Sequence, residues 1–233
     1  MMKFMLAAYW DSRPDGLEKC TGDAKQFFAR LAEADPLLAH WYERGRSRKD
    51  ALKRKVDTSD TQPLRDRLLK GRNRRDLDHS VIEELGFSLS FWNGAREEEE
   101  WASIRIGCGR YGERVSNHVL LDLPDKSQDL KWIENASKLL GQVAEIWRPQ
   151  WAGIMSKKAI RERDFDLDNP LVDWMVYVPR AVPAMPLPSR VEQLKGLGSI
   201  IIVQPDPPVG DDAEELSRIR RAERLLRVRE NLG

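Results

Sequence analysis

WASIRIGCGRYGERVSNHVLLDLP, residues 101–124, admits two incompatible readings, and the choice between them decides the fold. Gly107, Gly109 and Gly112 have the G-x-G-x-x-G spacing of a dinucleotide-binding turn. That turn requires a helix opening at the glycines, whose N-terminal amides hold the pyrophosphate, and an acidic residue about 20 positions on to meet the ribose. Here the sequel alternates instead. Val115, Asn117, Val119, Leu121 and Leu123 fall on one side, and Arg114, Ser116, His118 and Asp122 on the other. Period two is the pattern of a half-buried strand, and Asp122 comes too early for a ribose contact. Residues 101–108 are strand-like as well, so the glycines predict a β-hairpin loop, where they supply positive φ or a bulge.

Working outward, residues 86–92 (GFSLSFW) alternate Phe87, Leu89 and Phe91 against Ser88, Ser90 and Trp92, and residues 93–100 (NGAREEEE) turn the chain into the strand at 101–108. Residues 86–123 therefore predict a three-strand meander. Further strands are expected at 3–10, 151–156, 173–178 and 198–203, the last apolar enough to be buried on both faces. Helices are expected from Leu17 to before Pro36, with Leu17, Cys20, Ala24, Phe27, Phe28 and Leu31 as the apolar stripe. Three shorter ones follow at 36–45, at 47–55 with Ser47 as N-cap, and at 61–71 with Pro63 in the first turn and Gly71 at the end. A long helix from Ser127 carries Leu130, Ile133, Leu140, Val143 and Trp147 inward. A last helix near Asp212 has acids first and arginines last, the order that suits the macrodipole, and docks through Leu216, Ile219, Ala222 and Leu226. Residues 179–188 (PRAVPAMPLP) are too rich in proline for regular structure and predict an extended surface connection. The whole is an α+β chain: one domain over 1–233, with a mixed, largely antiparallel sheet of about six or seven strands and helices packed against it.

The 39 basic and 38 acidic side chains leave a net charge of +1, so no global field draws the protein to nucleic acid or anionic lipid. The opening, residues 1–14, is too brief an apolar run for a signal peptide, and no apolar stretch reaches membrane-spanning length. Cys20 and Cys108 are the only cysteines and form no metal or disulfide framework. These features read as a soluble, cytoplasmic protein without a membrane partner.

Candidate chemistry is thin. Asp164, Asp166 and Asp168 imitate the start of a calcium loop, but its sixth position would be Asn169 instead of glycine and its twelfth Met175 instead of glutamate. His40, His79 and His118 stand far apart, Ser88 lacks a nucleophile elbow, and Cys108 has no base beside it in sequence. No catalytic, metal or cofactor-binding residue is assigned, no cofactor is expected, and an enzyme is disfavoured. Residues 41–80 carry 13 Lys and Arg against 7 Asp and Glu, which offers a nucleic-acid-binding regulator acting through residues 44–75 as an alternative. Interspersed acids and the lack of interleaved aromatics argue against direct nucleic-acid binding and for a solvated, internally paired face. Glu97 to Glu100 form the opposing charge run, in a loop between two strands. The eight tryptophans are core or binding anchors, and sequence does not sort them.

Residues 7–20 (AAYWDSRPDGLEKC), 27–52 (FFARLAEADPLLAHWYERGRSRKDAL), 68–76 (LLKGRNRRD), 81–94 (VIEELGFSLSFWNG) and 102–124 together resemble the immunity protein 52 family of bacterial polymorphic-toxin systems. The likeness is strong over about residues 5–125 and weaker beyond. It implies a non-enzymatic antitoxin that binds and neutralises a cognate nuclease toxin of restriction-endonuclease type, often one delivered by type VI secretion. The resemblance assigns no individual residue to the toxin interface. Electrostatics does suggest one: acids could occupy the basic track on which a nuclease holds DNA. On that argument the expected partner-binding residues are Glu97, Glu98, Glu99 and Glu100 with Trp101, and Asp164, Phe165, Asp166 and Asp168. Monomer and dimer remain open, as do active-site and exosite inhibition.

Overall fold

The computed structural model describes residues 3–127, 129–163, 169–210 and 212–227. Along the chain run β1 (Phe4–Trp10), α1 (Leu17–Ala34), β2 (Trp41–Tyr42), α2 (Arg48–Ala51), β3 (Lys55–Val56), α3 (Thr61–Lys70), β4 (Phe87–Trp92), β5 (Ser103–Cys108) and β6 (Asn117–Asp122). They are followed by α4 (Ile133–Trp147), β7 (Trp151–Ser156), α5 (Lys157–Glu162), β8 (Met175–Val178), β9 (Arg190–Leu194), β10 (Gly198–Ile202) and α6 (Ala213–Arg227). The strands form one sheet in the order β3-β2-β4-β5-β6-β1-β7-β8-β10-β9, antiparallel at each pairing.

Alternation along each strand divides the sheet into two faces. On the first, Leu6, Ala8 and Trp10 of β1, Ile104 and Ile106 of β5, Val119 and Leu121 of β6, and Ile200 and Ile202 of β10 meet the apolar stripes of α1, α3 and α4 in one core. On the second face, Val176 and Val178 of β8 and Ile201 of β10 pack under Ile219, Ala222 and Leu226 of α6. Ala7, Trp151 and Met155 form a smaller cluster there with Leu171, and Ile160 of α5 packs against it. β8 and β10 are thus buried on both sides, which is why residues 198–203 lack alternation.

The β5–β6 connection is the expected hairpin loop. Gly109 turns the chain at φ +68°, and the fully buried Asn117 fastens it: Asn117 Oδ1 accepts the Arg110 amide at 2.9 Å, and Asn117 Nδ2 donates to the carbonyls of Asp11 (2.8 Å) and Arg110 (3.1 Å). Residues 179–188 have no regular structure, as expected, although Val182 is buried.

Several expectations need correction. The sheet has ten strands instead of six or seven, and it is antiparallel instead of mixed. Two of the extra strands, β2 and β3, are only two residues long and lie where helices were expected at 36–45 and 47–55. The Asp35 carboxylate accepts the Leu37 amide at 2.7 Å and caps a single 3-10 turn at Pro36–Leu38. Leu38 and Trp41, both buried, then mimic helical spacing although the chain is already extended at Trp41. Ser47 does cap α2 by accepting the Asp50 amide, but the helix stops at Ala51. The third extra strand, β9, is a polar edge strand that begins two residues after Pro188, so it carries little apolar signal. Ser127 caps a 3-10 turn at Asp129–Lys131 by accepting the Leu130 amide, and α4 starts only at Ile133. In α6 the inward position before Ile219 belongs to Glu215, 3 % exposed, whose carboxylate accepts the Val209 and Gly210 amides at 3.0 and 2.8 Å. Leu216 is exposed instead of docked.

Candidate functional site

The acidic run forms a 3-10 turn, Glu98–Glu100, in the β4–β5 connection. Much of its charge is answered within the chain. Glu98 pairs with Lys3, Glu100 with Lys126 at 3.2 Å, and Glu97 loosely with Arg96 at 3.8 Å. The hydrogen bond from Lys3 holds the Glu98 carboxyl below the usual range, and bonding to Glu98 and Glu100 holds the Lys3 and Lys126 ammonium groups above theirs. Trp101 is half-buried beneath the Lys157 ammonium, 5.9 Å from its ring. Glu97 to Glu100 and Trp101 are therefore together on one end of the sheet, with Glu97 and Glu98 the most exposed of the acids. Asp164, Phe165, Asp166 and Asp168 lie outside the described residues.

The basic segment is paired in part: Arg54 with Asp50 (2.9 Å) and Arg67 with Glu43 (2.8 Å) inside it, and Arg65 with Glu18 (3.0 Å) and Arg72 with Glu83 beyond it. Five tryptophans, Trp10, Trp41, Trp147, Trp151 and Trp174, are buried, while Trp92 and Trp101 are half-buried and Trp132 is 66 % exposed at the start of α4. Among the described residues no group of three His, Cys, Asp or Glu stands close enough to hold a metal. Both cysteines are free and buried, and Cys108 is held well above the usual thiol range by its hydrogen bond with Cys20 and by burial.

A different feature stands out on the second face. Strand alternation puts Ser88 and Ser90 of β4, Arg105 and Gly107 of β5, and His118 of β6 on the same side of the sheet, in register: Ser90 opposite Arg105, Ser88 opposite Gly107, Gly107 opposite His118. They floor a groove of about 540 Å³ whose wall carries Glu43, Arg67 and Lys70. Gly107 has a specific task. A Cβ there would stand 2.7 Å from Arg110 Cζ, so its absence lets the Arg110 guanidinium lie flat against the strand. The glycines that imitated a phosphate cradle thus do two jobs, one turning the chain and one seating an arginine. The signal that could have revealed the groove was Arg105, a charge at mid-strand among apolar neighbours, opposite a serine.

His118 sits between these cations. Burial, then Arg110 and Arg105, hold its pKa down to about 4, so the imidazole is neutral at pH 7. Tyr9 on β1 faces it with ring centroids 6.4 Å apart, and burial raises the phenol. The unfolded chain binds this proton near pH 6.5 while the folded chain resists it to about pH 4, so stability present above pH 6.5 is lost as pH falls through that window. The loss from this group reaches about 3 kcal/mol at most. Urea midpoints at pH 7, 5 and 4 should fall less steeply for His118→Gln than for the wild type; parallel curves would show that His118 does not titrate in this way.

The fold defines an α+β protein built on one antiparallel sheet, with a charged groove on its second face. The profile of the family described as Immunity protein 52 matches residues 3–217, and the chain belongs to that family. It is accordingly an immunity protein. The fold is similar to the solved structure of Pseudomonas aeruginosa T6SS protein PA0821, with a TM-score of 0.54 at 14 % identity over 97 % of this chain and 77 % of that one. No curated protein matches the sequence. Among the described residues no helix is long and apolar enough to cross a membrane.

Proposed function

We propose that this immunity protein binds and neutralises a nuclease toxin of restriction-endonuclease type delivered by type VI secretion, and that it does so by covering the toxin's working surface. The observation that carries the reading is the family match across residues 3–217. The toxin class follows from the family resemblance, and the secretion route is supported by the printed name of the structural neighbour. A binding role needs a rigid scaffold that presents charge, and a ten-stranded sheet covered by helices on one face and in part on the other supports that. In this reading Glu97 to Glu100 with Trp101, and the segment containing Asp164, Phe165, Asp166 and Asp168, contribute acidic contacts that steer the protein to the toxin's DNA track. A toxin active beside the cell's own DNA leaves little room for free enzyme, so a Kd at nanomolar or below is expected.

The test is co-expression with the C-terminal nuclease domain of a toxin encoded immediately upstream. Growth should be restored by several orders of magnitude in viable count when this chain is present. No protection by a folded, soluble chain would refute the reading.

A further inference from the structure

The groove on β4, β5 and β6 is unclaimed by the acidic contacts described above, and its chemistry is opposite in sign. Arg105 projects from the middle of β5, is exposed, and has neither ion pair nor hydrogen bond among the described residues. Arg110 is half-buried; its Nη1 has one long hydrogen bond, 3.5 Å to the Ser116 carbonyl, and its buried Nε has no partner among the described residues. A guanidinium held flat by a glycine, with its Nε covered and only one long hydrogen bond at its Nη groups, is an ordered donor fork whose terminal N–H groups are left in part unused. Carboxylates match such a fork in bidentate geometry. Ser88 and Ser90 are small, so nothing between the arginines fills the space above the strands. The groove also contains a worked case of the same recognition, since the Glu43 carboxylate accepts Arg67 at 2.8 Å and lies 3.7 Å from Lys70 on its wall.

Resting on the reading that the partner is a toxin, we infer that this groove is a carboxylate-binding site that receives an acidic segment of the toxin, anchored by Arg105 and Arg110. A nucleic-acid backbone fits less well. It would need a continuing row of free cations, whereas Arg67 is already paired and Glu43 would face the phosphates. The immunity protein then engages its partner through both signs of charge, an acidic turn at one end of the sheet and an arginine groove beside it, and this makes the docked orientation unique because a reversed approach sets like charges together.

The experiment measures binding kinetics of the full chain against a catalytically inactive form of the upstream toxin's nuclease domain. Wild type is compared with Arg105→Glu, with Ser90→Glu, which sets a carboxylate opposite Arg105, and with the double variant Glu97→Lys/Glu99→Lys. Both substituted sites in the groove are exposed, so folding should survive, and thermal unfolding verifies it. Arg105→Glu and Ser90→Glu should each weaken binding at least 30-fold, mainly through faster dissociation, as expected for an anchoring charge pair. The Glu97/Glu99 variant should act mainly on the association rate. If wild type binds tightly and both groove variants bind within threefold of it, the inference is overturned while the toxin reading stands. Wild-type binding to a 20-bp DNA duplex that Arg105→Glu abolishes would overturn it in favour of a phosphate site. A wild-type chain that does not bind the toxin overturns both.

Discussion

Trp147→Ala should lower the unfolding free energy by about 3–5 kcal/mol, among the largest losses any single side chain can cause in this protein. Trp147 is 1 % exposed at the end of α4. Its ring stacks on Trp10 with centroids 5.4 Å apart and meets Phe27 edge-on at 6.2 Å, so one side chain joins α4 to the central strand and to α1. Its Nε1 has no hydrogen-bond partner among the described residues, so truncation costs packing and leaves no new orphan. For a chain of this size each kcal/mol shifts the melting temperature by about 2–4 °C, and a fall of roughly 6–20 °C is expected. Trp147→Phe should recover more than half of the loss. A shift under 1 kcal/mol for the alanine variant, by denaturant titration, would mean that α4 does not seat on the sheet as described.

Gly71→Ala should cost about 3 kcal/mol although the backbone there is unstrained. Gly71 ends α3 at φ −82°, an angle alanine adopts freely. The obstacle is the neighbouring strand: an added Cβ would fall 1.8 Å from the Ser88 carbonyl oxygen, which belongs to β4 and cannot move aside as a flexible side chain would. Ser88 Oγ also donates to the Gly71 carbonyl at 2.6 Å, so displacing α3 breaks that bond too. Overpacking of this kind typically costs 1–3 kcal/mol and sometimes more. Because α3 carries Arg67 and Lys70, the same change should distort the groove wall and weaken toxin binding. Gly22→Ala is the natural control. Gly22 is exposed within α1 with nothing within 4 Å of an added Cβ, and alanine there should stabilise by about 0.5–1 kcal/mol. Equal effects at the two sites would contradict the close approach of α3 to β4.

Sequence patterning carried the layout of the sheet's interior and failed at its margins, for identifiable reasons. The alternation of Phe87, Leu89 and Phe91 against Ser88 and Ser90, and of Val119 and Leu121 against His118, reports one buried and one wetter face, which is what the structure shows for β4 and β6. β2 and β3 are too short to show any period, and β9 lies at an edge where burial imposes none. Gly71 reads as a helix stop in either description, but the cause is a contact with β4, and contacts between distant segments leave no mark at one position. For the proposed binding surface, the Glu97–Glu100 run is conspicuous as a charge block, yet its pairing with Lys3 and Lys126 depends on tertiary placement. Arg105, Arg110 and His118 were dispersed over a strand, a loop and another strand, and only the register of β5 with its neighbours brings them into one groove.

The claim that matters most is that this chain silences a nuclease by occupying it. A plasmid-cleavage assay with purified upstream toxin domain at fixed concentration, titrated with this chain, tests it directly. Cleavage should fall linearly and reach zero at one equivalent, with an unrelated nuclease unaffected. Persistent cleavage at a severalfold excess of folded chain, or DNA cleavage by the chain alone, would contradict it.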